Sequence, residues 1–483
     1  MGFIRNAFRN WLEIVPKAPL GIAIMSDEDF FGEVFSNKIW YRGNPAELAQ
    51  LYGVEDVGSR SFWGAAGSNS AIRKLHSGLP SMMVDVIADI ACDDLLGVGI
   101  FGRDDVIHDE GQRVWDEIAK ANGFGALLKK ACKKAVALGD GAFKISFDAD
   151  LSPLPIIEFY GADRLRFVYE RGRITQVVFL QPVVIENKAY TLEESYHCKG
   201  ISYCLVDDKG ELVDVGGLRG FELPDDISHG LGVNLAIVMI FDEHPKYEGR
   251  GKSVFFGRKG AFDALDEVMS QWVDALRDGR VQKYIPIGYL PRNPNTGRVM
   301  DLSSFQTRFV QTEMDMHEGA DNSIKVVQPN IDTSALAESA NYFMGMCLQG
   351  IIAPATLGLD LQRRDNAKAQ REKEKATMYT RGKVVGVLRE AVARVAEVCV
   401  KAYMAYHGLN KVDIIASVEF GEYAAPNFES QIEAVGKGVA QGIISIENAV
   451  EQLYGSSWTF AQKELEVERI KKMKGGKEDE EDL

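Results

Sequence analysis

The chain has 483 residues, a net charge of −15, and 46% hydrophobic and 10% aromatic content. That length predicts about three domains, and the composition is ordinary for a globular protein with a sizeable core. The negative balance argues against tight wrapping of nucleic acid, since Lys and Arg drive phosphate binding; it leaves room for DNA that passes without sticking.

Residues 1–80 read as helical and loop-rich, with breaks at Asn44-Pro45 and Gly67-Ser68-Asn69-Ser70. The opening residues hold Arg5 and Arg9 but no apolar core, so no export signal is expected, and Asn6 removes a myristoylation motif at Gly2. A helix follows at 82–96, with Met83, Val86, Ile87 and Ile90 inward and Asp85, Asp89 and Asp93 outward. Helices at 109–122 and 126–138 lead through Gly139-Asp140-Gly141 into an alternating strand at 142–147. From 154 to 215 the period is two. Strands at 165–169 and 174–180 flank Glu170-Arg171-Gly172, and a second pair flanks Asp207-Asp208-Lys209-Gly210, both read as hairpins. The apolar run 231–241 is a strand or a helix start, far too short to span a bilayer.

Next comes a helix whose stripe is Phe262, Leu265, Met269, Trp272 and Leu276, stopped by Gly279. Asp263, Glu267, Asp274 and Asp278 fall on another face. An insert, 281–331, carries short strands around 284–289, 308–312 and 324–327, with turn signals at 291–297 and 317–319. A second helix starts at Asp332-Thr333-Ser334 and buries Leu336, Ala340, Phe343, Cys347 and Ile351, with Pro354 beyond its end. The longest helix, 365–407, is polar nearly all round up to 383, which suits a helix surrounded by other chains. Its second half has an apolar stripe of Leu388, Val392, Val395, Cys399 and Ala402, and Gly382 and Gly386 offer a bend point between the halves. A strand at 412–420 and three short helices after Pro426 follow, split at Gly442 and Gly455, and the acidic end, 475–483, is expected to be disordered. This order suits a hollow spindle: two helices as wall, the insert as cap, and a loop where the wall turns away.

Motifs with chemical associations give way to plainer readings. Gly97-Val98-Gly99-Ile100-Phe101-Gly102 spells the dinucleotide fingerprint, but an amphipathic helix precedes it where a strand is needed, so a loop is expected. Asp148-Ala149-Asp150 lacks the β/α repeat of aspartyl phosphotransferases and reads as a polar turn. His197, Cys198 and Cys204 lack a fourth ligand and zinc-like spacing. The six cysteines, including Cys92, Cys132, Cys347 and Cys399, form no CxxC and read as reduced thiols of a cytosolic fold. No GxSxG or GxxxxGK[ST] motif occurs, so no catalytic residue, metal or cofactor is expected. Basic residues cluster: Arg250, Lys252, Arg258 and Lys259 before the first wall helix; Arg277, Arg280 and Lys283 at its close; Arg363, Arg364, Lys368, Arg371, Lys373, Lys375, Arg381 and Lys383 along the loop and polar half-helix. They are either candidate phosphate contacts or a solvated face with weak ion pairs.

Taken in order, these segments resemble the portal (head-tail connector) proteins of tailed double-stranded DNA bacteriophages, of the long-tailed Gram-positive-phage type. The resemblance is carried by Gly78-Leu79-Pro80, by 138–144, by 265–267 through 274–280, by Gly358-Leu359-Asp360, and most specifically by 366–375 running into 380–383. It implies an α+β portal fold of wing, stem, clip and crown in a ring oligomer with a central channel, twelve subunits at one capsid vertex. The wing would be 1–253 with 366–424, the stem helices 254–280 and 332–350, the clip 281–331, the tunnel loop 351–365, the crown 425–473, and the tail 474–483. The tunnel loop would present Thr356, Leu357, Gly358, Leu359, Asp360, Leu361, Gln362, Arg363 and Arg364. Asp263, Glu267, Asp274, Asp278, Arg277, Arg280, Lys283, Lys368 and Arg371 would face DNA or a neighbouring subunit. Arg292, Asn293, Arg298, His317 and Glu318 would lie on the clip, where motor and adaptor dock. Implied partners are further copies of the chain, passing double-stranded DNA, the terminase large subunit, a head-tail adaptor or neck protein, the major capsid protein and a scaffolding protein, with no membrane; assembly would occur in a bacterial cytoplasm and end in the virion. The rival readings are another phage ring, such as a tail or baseplate hub, and a Rossmann-type enzyme at 97–102.

Overall fold

The computed structural model describes residues 27–53, 61–64, 72–102, 107–207, 210–215, 218, 221–279, 282–286, 294, 296, 308–312, 323–328, 330–359, 374–409, 413–421, 428–454 and 463–472. The chain divides after Phe420 into two units.

In the larger unit, α1 (Asp27–Arg42) and α2 (Pro45–Gly53) meet at the expected break. There the Asn44 Oδ1 accepts from the Ala46 amide at 3.0 Å and Pro45 opens the helix, so the break is an N-cap. Helix α3 (Leu79–Cys92) buries Met83, Val84, Ile87, Ala88 and Ala91. Its aspartates are not merely solvated: Lys129 and Lys133, on α5 (Phe124–Leu138), pair with Asp93 at 2.7 Å and Asp85 at 2.9 Å. Between them runs α4 (Asp109–Ala121).

The glycine-rich stretch after α3 is a correction. Helix α3 stops at Cys92, and β1 (Leu95–Phe101) replaces the expected loop. It pairs antiparallel with β13 (Ile415–Phe420), Val98 opposite Val418 and Ile100 opposite Ala416. The Gln112 side chain covers the other edge: its Oε1 accepts from the Ile100 amide at 2.8 Å and its Nε2 donates to the Val98 carbonyl at 3.1 Å. A strand partnered this way supplies no amides to a pyrophosphate.

Strand β2 (Asp140–Ser146) sits between β3 (Ile156–Gly161) and β9 (Ala236–Ile240), which settles the ambiguous 231–241 run as partly strand. The Asp148-Ala149-Asp150 stretch is a turn, in which Asp148 Oδ1 accepts from the Asp150 amide at 3.0 Å. A five-stranded antiparallel sheet follows in chain order: β4 (Leu165–Glu170), β5 (Arg173–Ile185), β6 (Lys188–His197), β7 (Gly200–Val206) and β8 (Ile227–Ser228). The β4–β5 turn has Arg171 and Gly172 at φ 50° and 78°, the positive pair that a tight hairpin requires. The β5–β6 turn does the same with Glu186 and Asn187, at φ 50° and 63°. The expected hairpin around 207–210 forms as a short one: Val206 bridges Leu212, Asp207 N donates to Glu211 O at 3.0 Å, and Val213 N donates to Leu205 O at 2.9 Å.

The long helix α8 (Lys375–Tyr406) runs unbroken through Gly382 and Gly386 and buries Leu388, Val392, Val395, Cys399 and Ala402, as its periodicity predicts. The expected polar start, 365–373, lies outside the described residues. Helix α8 packs against β13, α3 and β9, so it forms the spine of the larger unit. Its end closes on Gly408 (φ 65°), with Leu409 N donating to Met404 O at 2.9 Å and Gly408 N to Ala405 O at 3.2 Å, a Schellman pair.

The smaller unit holds α9 (Phe428–Ala440), α10 (Ile446–Tyr454) and a helical segment at 463–472, the three helices expected after Pro426. Gly442 at φ 70° ends α9 in a second Schellman pair, to Gly438 O and Val439 O. The acidic tail lies outside the described residues. Among the described residues no helix is long and apolar enough to cross a membrane.

Candidate functional site

Two helices joined by an insert form an arm. Helix α6 (Lys259–Asp278) and helix α7 (Thr333–Leu348) are each other's principal packing partners. Between them β10 (Gln282–Pro286) is flanked by β11 (Arg308–Thr312), parallel to it, and β12 (Lys325–Val327), antiparallel to it. All three strands fall where the sequence places them. Asp332 caps α7 as expected, its Oδ1 accepting from the Ala335 amide at 3.0 Å.

Gly279 ends α6 for a different reason from the one expected. Its φ is −71°, so no left-handed cap forms. A Cβ there would lie 2.0 Å from the Ile331 Cδ1. Glycine lets the chain leaving α6 touch the chain returning to α7, and this pinches the neck of the insert.

The arm is rooted by a polar cluster that the sequence did not flag. Asp266 is fully buried on α6. Its carboxylate lies 2.7 Å from His76 Nδ1 and accepts from the Trp63 indole at 3.1 Å and the Ser77 amide at 2.8 Å. Ser270 accepts from the Leu75 amide at 2.9 Å. The signal was present: Asp266 and Ser270 continue the stripe of Phe262 at helical spacing, and a carboxylate on an apolar stripe needs buried donors.

Asp263 belongs to this root as well, which corrects its expected place on an outward acidic face. Its two oxygens accept from the Phe62 amide at 2.8 Å and the Trp63 amide at 3.2 Å. Burial pushes its carboxyl above the usual carboxylate range, against the pull of those amides and of Lys74. Glu267 stays half-exposed, 3.0 Å from Gln271 Nε2, and Asp274 and Arg277 are half-exposed further along α6.

Burial along the arm is graded. At its root Phe262, Leu265, Cys347 and Leu348 are in the core, each large apolar side chain worth about 1.5–3 kcal/mol on burial. Elsewhere Leu276 is 50% exposed, Met346 43% and Tyr342 67%. On the insert sheet Val326 and Val327 are 61% and 46% exposed. Apolar surface on both helices and on the sheet leaves a face that one protomer does not cover.

The 351–359 segment, where the tunnel loop is expected to begin, is clamped at its start. Buried Thr377 Oγ1 accepts from the Ala353 amide at 2.9 Å and lies 2.9 Å from Thr356 Oγ1. Thr380 donates to Ile351 O at 2.5 Å. Leu357 packs against the core. Gly358, at φ 70°, closes a Schellman pair to Pro354 O and Ala355 O, and Leu359 is left 38% exposed. Substituting Thr377→Val leaves the Ala353 amide buried without an acceptor and should cost about 1–3 kcal/mol. Denaturant unfolding measures that loss, and faster hydrogen exchange at the Ala353 amide localises it.

Several basic residues turn out to be internal. Arg250 is buried: its Nε and Nη2 donate to Asp140 at 2.9 and 3.0 Å, and its Nη1 donates to Leu165 O at 2.9 Å. The guanidinium lies between the Phe30 and Phe167 rings, 4.0 and 4.6 Å from their centroids. Arg381 is buried against Asp94 at 2.6 Å and Ile90 O at 3.1 Å. Lys259 donates to Ser36 at 3.0 Å. These residues brace the body and are not spare phosphate contacts. Asp360, Leu361, Gln362, Arg363, Arg364, Lys368, Arg371, Arg280, Arg292, Asn293, Arg298, His317 and Glu318 lie outside the described residues, as do the side chains of Asp278 and Lys283. His197 Nδ1 accepts from the Lys199 and Gly200 amides at 3.2 and 3.1 Å and so shapes the β6–β7 turn.

No protein-family model and no curated protein matches the chain. Among solved structures, it is similar to a chain in the virion of a native gene transfer agent particle, at 13% identity and TM-score 0.41, covering 86% of this chain and 91% of that one. It is also similar to a chain in the neck of the empty particle, solved with C6 symmetry, at 14% identity and TM-score 0.41, covering 76% and 90%. A chain in the neck of the native particle, solved with C12 symmetry, gives 14% and 0.41, covering 78% and 89%. A TM-score of 0.41 is too low for the likeness to carry an argument about function.

Proposed function

We propose that this chain is a portal subunit of a tailed double-stranded DNA phage, acting as one of twelve copies that ring a DNA channel at a capsid vertex. The observation that carries the reading is the arm: two packed helices bridged by a small mixed sheet, rooted in the body, with apolar side chains left uncovered on both helices and on the sheet. Neighbouring copies would bury that surface through two different complementary faces, which is how a closed ring is made. Helices α6 and α7 serve as stem, the 281–331 insert as clip, and the segment from 351 as tunnel loop.

A conduit must not hold its cargo. In the ring, Glu267, Asp274 and Asp278 repel phosphate over a distance set by salt, with Asp263 withdrawn into the root. The clamp at Thr377 and Thr380 fixes the near end of the tunnel loop, from Ile351 to Thr356. The clip presents strand edges and turns to the packaging motor and then to the neck protein. No chemistry is assigned to the chain itself. The test is the shape of the assembled protein: a twelvefold ring with a hole the width of duplex DNA supports the reading, and a three- or sixfold hub supports the rival tail or baseplate structure.

A further inference from the structure

At the root of the arm a cavity of about 190 Å³ opens between the end of β9, the start of α6, the turn after α7 and the first turns of α8. Lys252, Arg258 and Lys383 line it, with one carboxylate, Asp242, and apolar walls that include Val254 and Val384. The two ammonium groups lie 2.8 and 3.9 Å from Asp242 Oδ2, which leaves most of their N–H bonds unused among the described residues. Arg258 donates through Nη1 to Phe256 O and through Nη2 to Gln349 O, each at 3.1 Å. Its Nε–H is buried without a hydrogen-bond partner among the described residues.

Three cations against one carboxylate give the recess an excess of positive charge, and its apolar walls strengthen Coulomb attraction relative to bulk water. A cation would be repelled by that excess, and an apolar ligand would leave it unbalanced. A dianion with several acceptor oxygens can take N–H groups from both ammonium groups together, as charge-assisted hydrogen bonds, beside the positive Arg258 guanidinium. We propose that this cavity binds a small oxyanion of the phosphate class. The ligand would join the strand-end loop through Lys252, the first stem helix through Arg258 and the spine helix through Lys383, and so stiffen the attachment of the arm to the body.

The test is titration of the full-length protein with sodium phosphate, followed by calorimetry and by the melting temperature, against sodium chloride at matched ionic strength. Saturable phosphate binding that raises the melting temperature is expected, with affinity reduced about tenfold or more in Lys383→Met and in Arg258→Gln. Lys383 is largely exposed, with 69% of its side chain accessible, so Lys383→Met keeps its fold and remains informative if Arg258→Gln does not fold. Duplex DNA should not displace the ligand, since its phosphodiesters are held on a rod too wide for the recess. Phosphate binding no stronger than chloride, unchanged binding in Lys383→Met, or displacement by duplex DNA would each overturn the proposal.

Discussion

Arg250→Met should lower the folding free energy by about 3–5 kcal/mol, because it leaves the Asp140 carboxylate buried with most of its partners gone. That is a large part of the total for a typical domain. Asp140 then keeps only the Gly251 amide at 2.8 Å, while the Leu165 and Ala162 carbonyls lose their donor and the Phe30 and Phe167 rings lose the guanidinium between them. Arg250→Lys should restore little, since an ammonium cannot donate to both Asp140 oxygens and a carbonyl in one plane. The site has no slack nearby. A Cβ on Gly139 would lie 2.4 Å from Gly251 O, and one on Gly251 2.1 Å from Gly139 O. Urea denaturation of the pair Arg250→Met and Arg250→Lys measures both effects; a loss below about 1 kcal/mol for Arg250→Met would mean that the ion pair is not what joins these segments.

The double variant Tyr342→Glu, Met346→Glu should leave the protomer folded and abolish assembly. Both side chains are substantially exposed in the single chain, so charge there costs the protomer little. In the proposed ring the same positions would be buried between copies, and an unpaired carboxylate at each contact would cost about 2 kcal/mol or more. Repeated at every subunit contact, that penalty removes the closed state. Sedimentation velocity with far-UV circular dichroism separates the outcomes. Folded protomers are expected; intact rings from the variant would place the interface elsewhere on the arm.

Local signals made much of the fold legible. The Asp332 cap, the positive-φ pair at Arg171-Gly172 and the stripe of α8 are each written within a few neighbouring residues. What escaped depends on distant partners. β1 becomes a strand because β13 meets it more than three hundred residues later, and no local pattern records that. Asp140 and Arg250 are 110 positions apart, so a basic cluster before α6 read as surface charge when one member closes the body. Asp263 was misplaced for the same reason: helical spacing gives a face but not what covers it, and here the Phe62 and Trp63 amides do.

The central claim is that protomers close side by side around a channel. Electron micrographs of the purified full-length protein, with class averages and symmetry determined without imposing it, test this most directly. The account predicts a twelvefold ring with the paired helices lining a hole wide enough for duplex DNA. A stable monomer, or an assembly whose α6 and α7 are sealed from any central opening, would contradict it.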